Sequence, residues 1–166
     1  MKVKGVRKLN SVVSAQLKDF GIKRAVLSDE YCYMCNKEEV QFKLTTDIED
    51  EWLEEFIKER FGYVVPNIFI ISLLHEVGHH FTYDDVDGSV LSFCEDEKAR
   101  IESEIVTASD ERSKALEWEY FNLPDEIVAT AWAVKYAREH EDEMVEKWNT
   151  IAVALKEFYE RNGLTP

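Results

Sequence analysis

Nothing in this sequence is apolar for long enough to cross a bilayer. The longest such run, Ile68 to Leu74, is interrupted by Ser72 and falls far short of the roughly 20 residues that a spanning helix needs. Cysteine is scarce as well. Cys32, Cys35 and Cys94 cannot pair fully within one chain, which excludes a disulfide-built fold and suits a reducing, cytoplasmic setting. Positive charge is outweighed, with 20 basic against 34 acidic residues and a formal charge of -14. Such a field opposes a phosphate backbone, so direct binding to DNA or RNA is not expected, whereas a basic peptide or protein is compatible with it. Met1 to Lys8 is basic but has no apolar segment behind it, so a secretory signal is not expected either.

What the chain does have is core material. Its 166 residues are 45% hydrophobic, enough for one sizeable core, and no repeat, linker or low-complexity segment divides them, so a single domain over residues 1–166 is expected. Leu9, Val12, Val13, Leu17 and Phe20 follow helical spacing over Val6 to Phe20, with Gly21 just past the end. Strand-like runs follow at Ala25 to Tyr33 and Val40 to Thr45, with Cys35-Asn36-Lys37-Glu38 as a hairpin turn between them. Thr46-x-x-Glu49 reads as a capping box opening a helix that Gly62 closes, and Trp52, Leu53, Phe56 and Ile57 give it an apolar face. Pro66 starts the next helix, which the acidic turn Asp84 to Gly88 ends.

The second half reads as almost entirely helical. A capping box at Ser92 to Glu95 leads towards Ile105, Thr107 to Asp110 interrupts, and a short helix follows around Ala115 to Tyr120. Pro124 then restarts a helix to about Glu139. The last runs from about Asp142 to Arg161, with Met144, Trp148, Ile151, Leu155 and Phe158 inward. The sum is a mainly helical α+β fold.

The chemistry lies in His75-Glu76-Val77-Gly78-His79, an H-E-x-x-H motif followed by His80. Residues four apart share a helix face, so His75 and His79 offer two imidazoles to one point, the bite a Zn2+ ion takes from two ligands. Glu76 is then placed to act as general base on a water at the metal. The apolar run before the motif would bury this helix and set the histidines at a core edge.

A catalytic zinc needs a third protein ligand. Glu126 is the leading candidate: it sits in the first turn of the helix begun by Pro124, on a stripe with Ala129, Trp132 and Ala133, small enough overall to let this helix lie close to the motif helix. The alternative role for Glu126 is to face the helix dipole. Asp85 is the second candidate, ten residues after His75, although Thr82 stands where motifs of that kind have a turn glycine. Glu119 and Glu95 complete the set, and Glu117 reads as a helix surface charge.

His75-Glu76-x-x-His79 followed by Glu126-x-x-Ala129-x-x-Trp132-Ala133 resembles the ImmA/IrrE-type zinc metallopeptidase-like domain. The resemblance implies a zincin-like fold with a small N-terminal antiparallel sheet packed on the motif helix. It implies His75, His79 and Glu126 as metal ligands with Glu76 as the base. It also implies kinship with phage and mobile-element proteins, some of which cleave repressors. Two features depart from the family pattern: residues 80–122 form a longer, more helical segment between the motifs, and Trp132 stands where a Phe is usual.

The expected activity is that of a zinc-dependent metallopeptidase, a hydrolase acting on a protein or peptide partner: zinc acidifies a water, Glu76 takes its proton, and the oxygen attacks an amide carbonyl. His80 and Tyr83 are the nearest second donors for the oxyanion. The competing expectations are a zincin-like binding module with a structural or vestigial metal, and a helical interaction protein with an accidental motif. Smaller signals are read as structural: Cys32-x-x-Cys35 as strand cysteines, and Asp85-Val86-Asp87-Gly88 as a turn, since its glycine and closing glutamate do not fit a calcium loop.

Overall fold

A computed structural model describes residues 3–165. The chain forms two compact units, one built from residues up to Thr45 and from Tyr136 onward, the other from Thr46 to Lys135.

In the first unit, α1 (Val6–Leu17) buries Leu9, Val13 and Leu17 and runs into a 3-10 turn, Lys18–Phe20, that Gly21 ends with a φ of 82°. Three short strands follow: β1 (Arg24–Leu27), β2 (Cys32–Met34) and β3 (Glu39–Phe42). The Ala25 to Tyr33 run is therefore two strands, because the polar Ser28-Asp29-Glu30 segment reverses the chain between them. β2 and β3 form the expected antiparallel hairpin, with Glu38 in the turn at a φ of 48°. β1, however, pairs parallel to β3, in the order β1-β3-β2. The sheet is mixed, not antiparallel as expected, since β1 skips its sequence neighbour. Its free edge is covered by α1: Leu27 N–H donates to Asn10 Oδ1 (3.0 Å) and Ala25 N–H to Ser14 Oγ (2.7 Å), which removes two open donors from an edge strand. The long α7 (Glu141–Asn162) buries Met144, Ile151, Leu155 and Phe158, as its spacing requires, while Trp148 is half-buried.

The second unit is helical: α2 (Ile48–Phe61), α3 (Ile68–Thr82), α4 (Gly88–Ile105), α5 (Asp110–Phe121) and most of α6 (Pro124–Glu139). Helix starts differ from expectation where a stronger cap lies nearby. Asp47, not Thr46, caps α2: Asp50 N–H donates to Asp47 Oδ1 and Asp47 N–H to Asp50 Oδ2, and an Asp outranks a Thr at this position. α4 begins at Gly88, ahead of the Ser92 box, because Asp87 caps it by accepting from Ser89 N–H (2.8 Å). α5 begins at Asp110, capped by Ser109, well before Ala115. Cys94, Ile101, Leu116 and Leu123 form a core cluster in this unit, and Phe56 meets Trp118 edge to face (5.4 Å) and lies beside Phe121 (5.4 Å). No helix among the described residues is long and apolar enough to cross a membrane.

Candidate metal centre

Asn67 caps α3 by accepting from Ile70 N–H (2.9 Å), so the helix starts at Ile68, two residues beyond the expected start at Pro66. From there the helix is buried almost continuously from Phe69 to Gly78. His75 and His79 emerge together at its less buried side, with rings edge to face at 4.7 Å. Gly78 lets α6 approach: a Cβ there would lie 2.4 Å from the Ala129 carbonyl oxygen, which only a missing side chain allows. Phe81 stacks on Trp132 (4.8 Å) as a second link between the two helices. The close crossing brings Glu126 and Thr130, one turn apart on α6, to the two histidines.

His75 Nε2 stands 2.9 Å from Glu126 Oε2 and 3.1 Å from His79 Nε2, and His79 Nε2 is 3.4 Å from Glu126 Oε1. Ligand atoms about 2.0–2.1 Å from a tetrahedral zinc are separated from one another by about 3.3 Å. The three donors are therefore already spaced as ligands of one ion, and His75, His79 and Glu126 form a group that could hold a metal. Glu126 is buried, with both histidines only slightly exposed.

Thr130 fixes how these atoms face one another. Its hydroxyl donates to the Glu126 carbonyl oxygen (2.9 Å), so towards His75 Nδ1 (3.0 Å) it accepts. In the tautomer this contact favours, Nδ1 carries the hydrogen and a neutral ring presents a lone pair at Nε2. That lone pair points at a carboxylate oxygen and a second imidazole nitrogen, an arrangement stable only with a cation among them, a proton or a metal ion.

A lysine completes the surroundings. Lys98 of α4 places its ammonium against Glu126 Oε1 and 2.5 Å from Asp125 Oδ2, and 5.3 Å from the Tyr120 ring centre. Burial opposes the charge on Lys98, yet the two carboxylates more than offset it and hold its pKa above the ordinary value. Burial likewise opposes the Glu126 charge, and the adjacent imidazoles of His79 and His75 nevertheless keep its carboxyl well below the usual range. Burial, then the charges of Glu126 and Glu76, pushes the Tyr120 phenol up, so it keeps its proton.

The other expected residues fall in different places. Glu76 is buried on α3, directly after His75. Asp85 is exposed in the 3-10 turn Tyr83–Asp85 and does not join the cluster, since the helix has ended and its turn carries the side chain into solvent. Glu119 is exposed on α5 and paired with Arg100 and Arg112, and Glu95 is exposed on α4. Glu117 is half-buried rather than a surface charge. Its carboxyl is raised to about 7 by burial and by Glu49, Asp47, Glu102 and Glu126. His80 is half-buried, edge to face with Phe81, and Tyr83 is exposed. The three cysteines are free thiols: Cys32 on β2, Cys35 in the turn and Cys94 in the core of α4.

Sequence reasoning missed Thr130, Lys98 and Gly78. Thr130 carried a signal, being four residues after Glu126 and hence on its face. Gly78 carried one too, as a glycine inside a helix. Lys98, 19 positions after His79 in sequence, carried none. Comparison of the chain with known protein families, with curated proteins and with solved structures gives no match, and the likeness to the ImmA/IrrE-type domain rests on the residues themselves.

Proposed function

We propose that the protein is a zinc-dependent metallopeptidase of zincin type that cleaves a peptide bond in a protein partner, with His75, His79 and Glu126 as metal ligands and Glu76 as general base. The observation that carries this reading is the arrangement of donors: His75 Nε2, His79 Nε2 and the Glu126 carboxylate meet at ligand spacing, with Thr130 against the other nitrogen of the His75 ring. Two nitrogens and one oxygen suit zinc among the common divalent ions, and three protein ligands leave a position open. Zinc bound there would acidify a water and polarise a substrate carbonyl.

The chain's own residues supply the remaining work. Thr130 holds the His75 ring and tautomer, the Gly78 and Ala129 crossing sets the distance between the ligand-bearing helices, and Glu76 receives a proton in a buried setting and passes it to the leaving amine. His80, Tyr83 and the neutral Tyr120 phenol are the available oxyanion donors. The test is a peptide pool prepared from a digested proteome, incubated with zinc-loaded protein and searched by mass spectrometry for new termini. Cleavage in the parent, lost in Glu76→Gln at equal zinc content, supports the reading; cleavage that survives in Glu76→Gln contradicts it.

The second reading, a zincin-like binding module with a vestigial site, is favoured by one observation: Lys98 already gives Glu126 a counter-ion. It predicts no zinc uptake.

A further inference from the structure

We propose that Lys98, anchored by Asp125, is a positioning residue that keeps Glu126 a one-oxygen metal ligand, holding Oε1 on its ammonium and leaving Oε2 to the ion. The inference rests on the metal-site reading above. Its basis is the difference between the two Glu126 oxygens: Oε2 faces His75 Nε2 at 2.9 Å, whereas Oε1, 3.4 Å from His79 Nε2, is in contact with the Lys98 ammonium. Lys98 in turn is placed by Asp125 Oδ2 at 2.5 Å. The other oxygen of Asp125, Oδ1, is buried, and the Cys94 thiol of α4 interacts with the same carboxylate. The side chains of Lys98, Asp125 and Glu126 are 21%, 13% and 5% exposed, so this is an enclosed array rather than a surface ion pair, in which each charge depends on the others.

The consequence concerns coordination. A carboxylate free to turn can offer both oxygens to a metal, and the second oxygen would take the position that a three-ligand site leaves for water or substrate. An ammonium on Oε1 blocks that, and it also withdraws negative charge from the ligand, leaving the metal more electrophilic. Partners of this kind, one layer beyond the ligands, commonly decide how a ligand is presented. Lys98 comes from α4, within the long helical segment between the two ligand-bearing helices; that segment thereby contributes directly to the site.

Cobalt(II) is the probe, because its visible bands weaken as coordination rises from four to five. The parent should give intense four-coordinate bands. Lys98→Met should bind cobalt but lose band intensity, with the pH-dependent spectral transition of the bound water moved upward. Lys98→Arg should recover the parent spectrum. Asp125→Asn, which loosens the same ammonium, should change the spectrum in the same direction by less, and it carries the test if Lys98→Met does not fold. A parent that takes up no metal overturns this inference together with the metal-site reading. Parent-like bands and transition in Lys98→Met, or in Asp125→Asn where that variant carries the test, overturn the inference alone.

Discussion

Each unit of the molecule buries a glutamate on a regular element, and the two are satisfied differently. Glu39, on β3 of the first unit, is nearly inaccessible and meets one guanidinium, that of Arg24, its register partner across the β1–β3 pair. Arg24 itself lies largely in solvent, so the arrangement is a strand pair closed at its edge. Glu126, on α6 of the second unit, meets two imidazoles and an ammonium. A structural carboxylate needs one partner to offset its desolvation. Three partners, two of them nitrogens that can coordinate a metal, make Glu126 part of a group that could hold an ion. The difference separates a buried charge closed by a single strand partner from one shared among several groups.

The largest expected effect comes from removing the richer of the two. Glu126→Ala leaves buried partners unmatched and should destabilise the metal-free protein by about 3 kcal/mol in urea unfolding; Glu39→Gln, whose partner is exposed, should cost about 1 kcal/mol or less. Equal costs would erase the contrast. Next is the helix crossing. Gly78→Ala drives a Cβ into the Ala129 carbonyl, a backbone atom that cannot swing aside, and should cost about 1–3 kcal/mol. Gly88→Ala is the control: it meets open space at the first residue of α4 and should be neutral or stabilising by up to about 1 kcal/mol.

A smaller effect should follow Thr130→Val, which keeps the shape but removes the acceptor for His75 Nδ1–H. Zinc affinity, measured by competition with a chelator, should fall about tenfold, and Thr130→Ser should retain most of it. The smallest concerns Glu117, whose carboxyl is raised from an ordinary 4.5 to about 7. The folded state then keeps a proton that the unfolded chain releases, so this group lowers stability as pH rises through that window. Glu117→Gln should raise the Tm at pH 8 and leave it unchanged at pH 4. A Tm increase of equal size at both values would contradict the raised carboxyl.

Much of the site was legible because its signals are local. The i, i+4 spacing of His75 and His79, the proline that starts α6 and the small residues behind Glu126 each carry their reason in a few neighbouring positions, and the three residues they indicate do meet. The helices were legible for the same cause, down to the buried stripe of α7. What escaped depends on pairing between distant segments. The parallel alignment of β1 with β3 leaves no periodic trace, so the sheet read as antiparallel. Lys98 reaches Glu126 through the crossing of α4 and α6, which no spacing rule encodes. Cap positions slipped where two candidates stood side by side, as at Thr46 and Asp47, and the choice went to the better acceptor.

The most direct test of the central claim is zinc stoichiometry by equilibrium dialysis and elemental analysis, for the parent beside His79→Ala and Glu126→Ala. One zinc per chain is expected in the parent, with loss in both variants. No zinc in the parent, or zinc retained in Glu126→Ala, would contradict it.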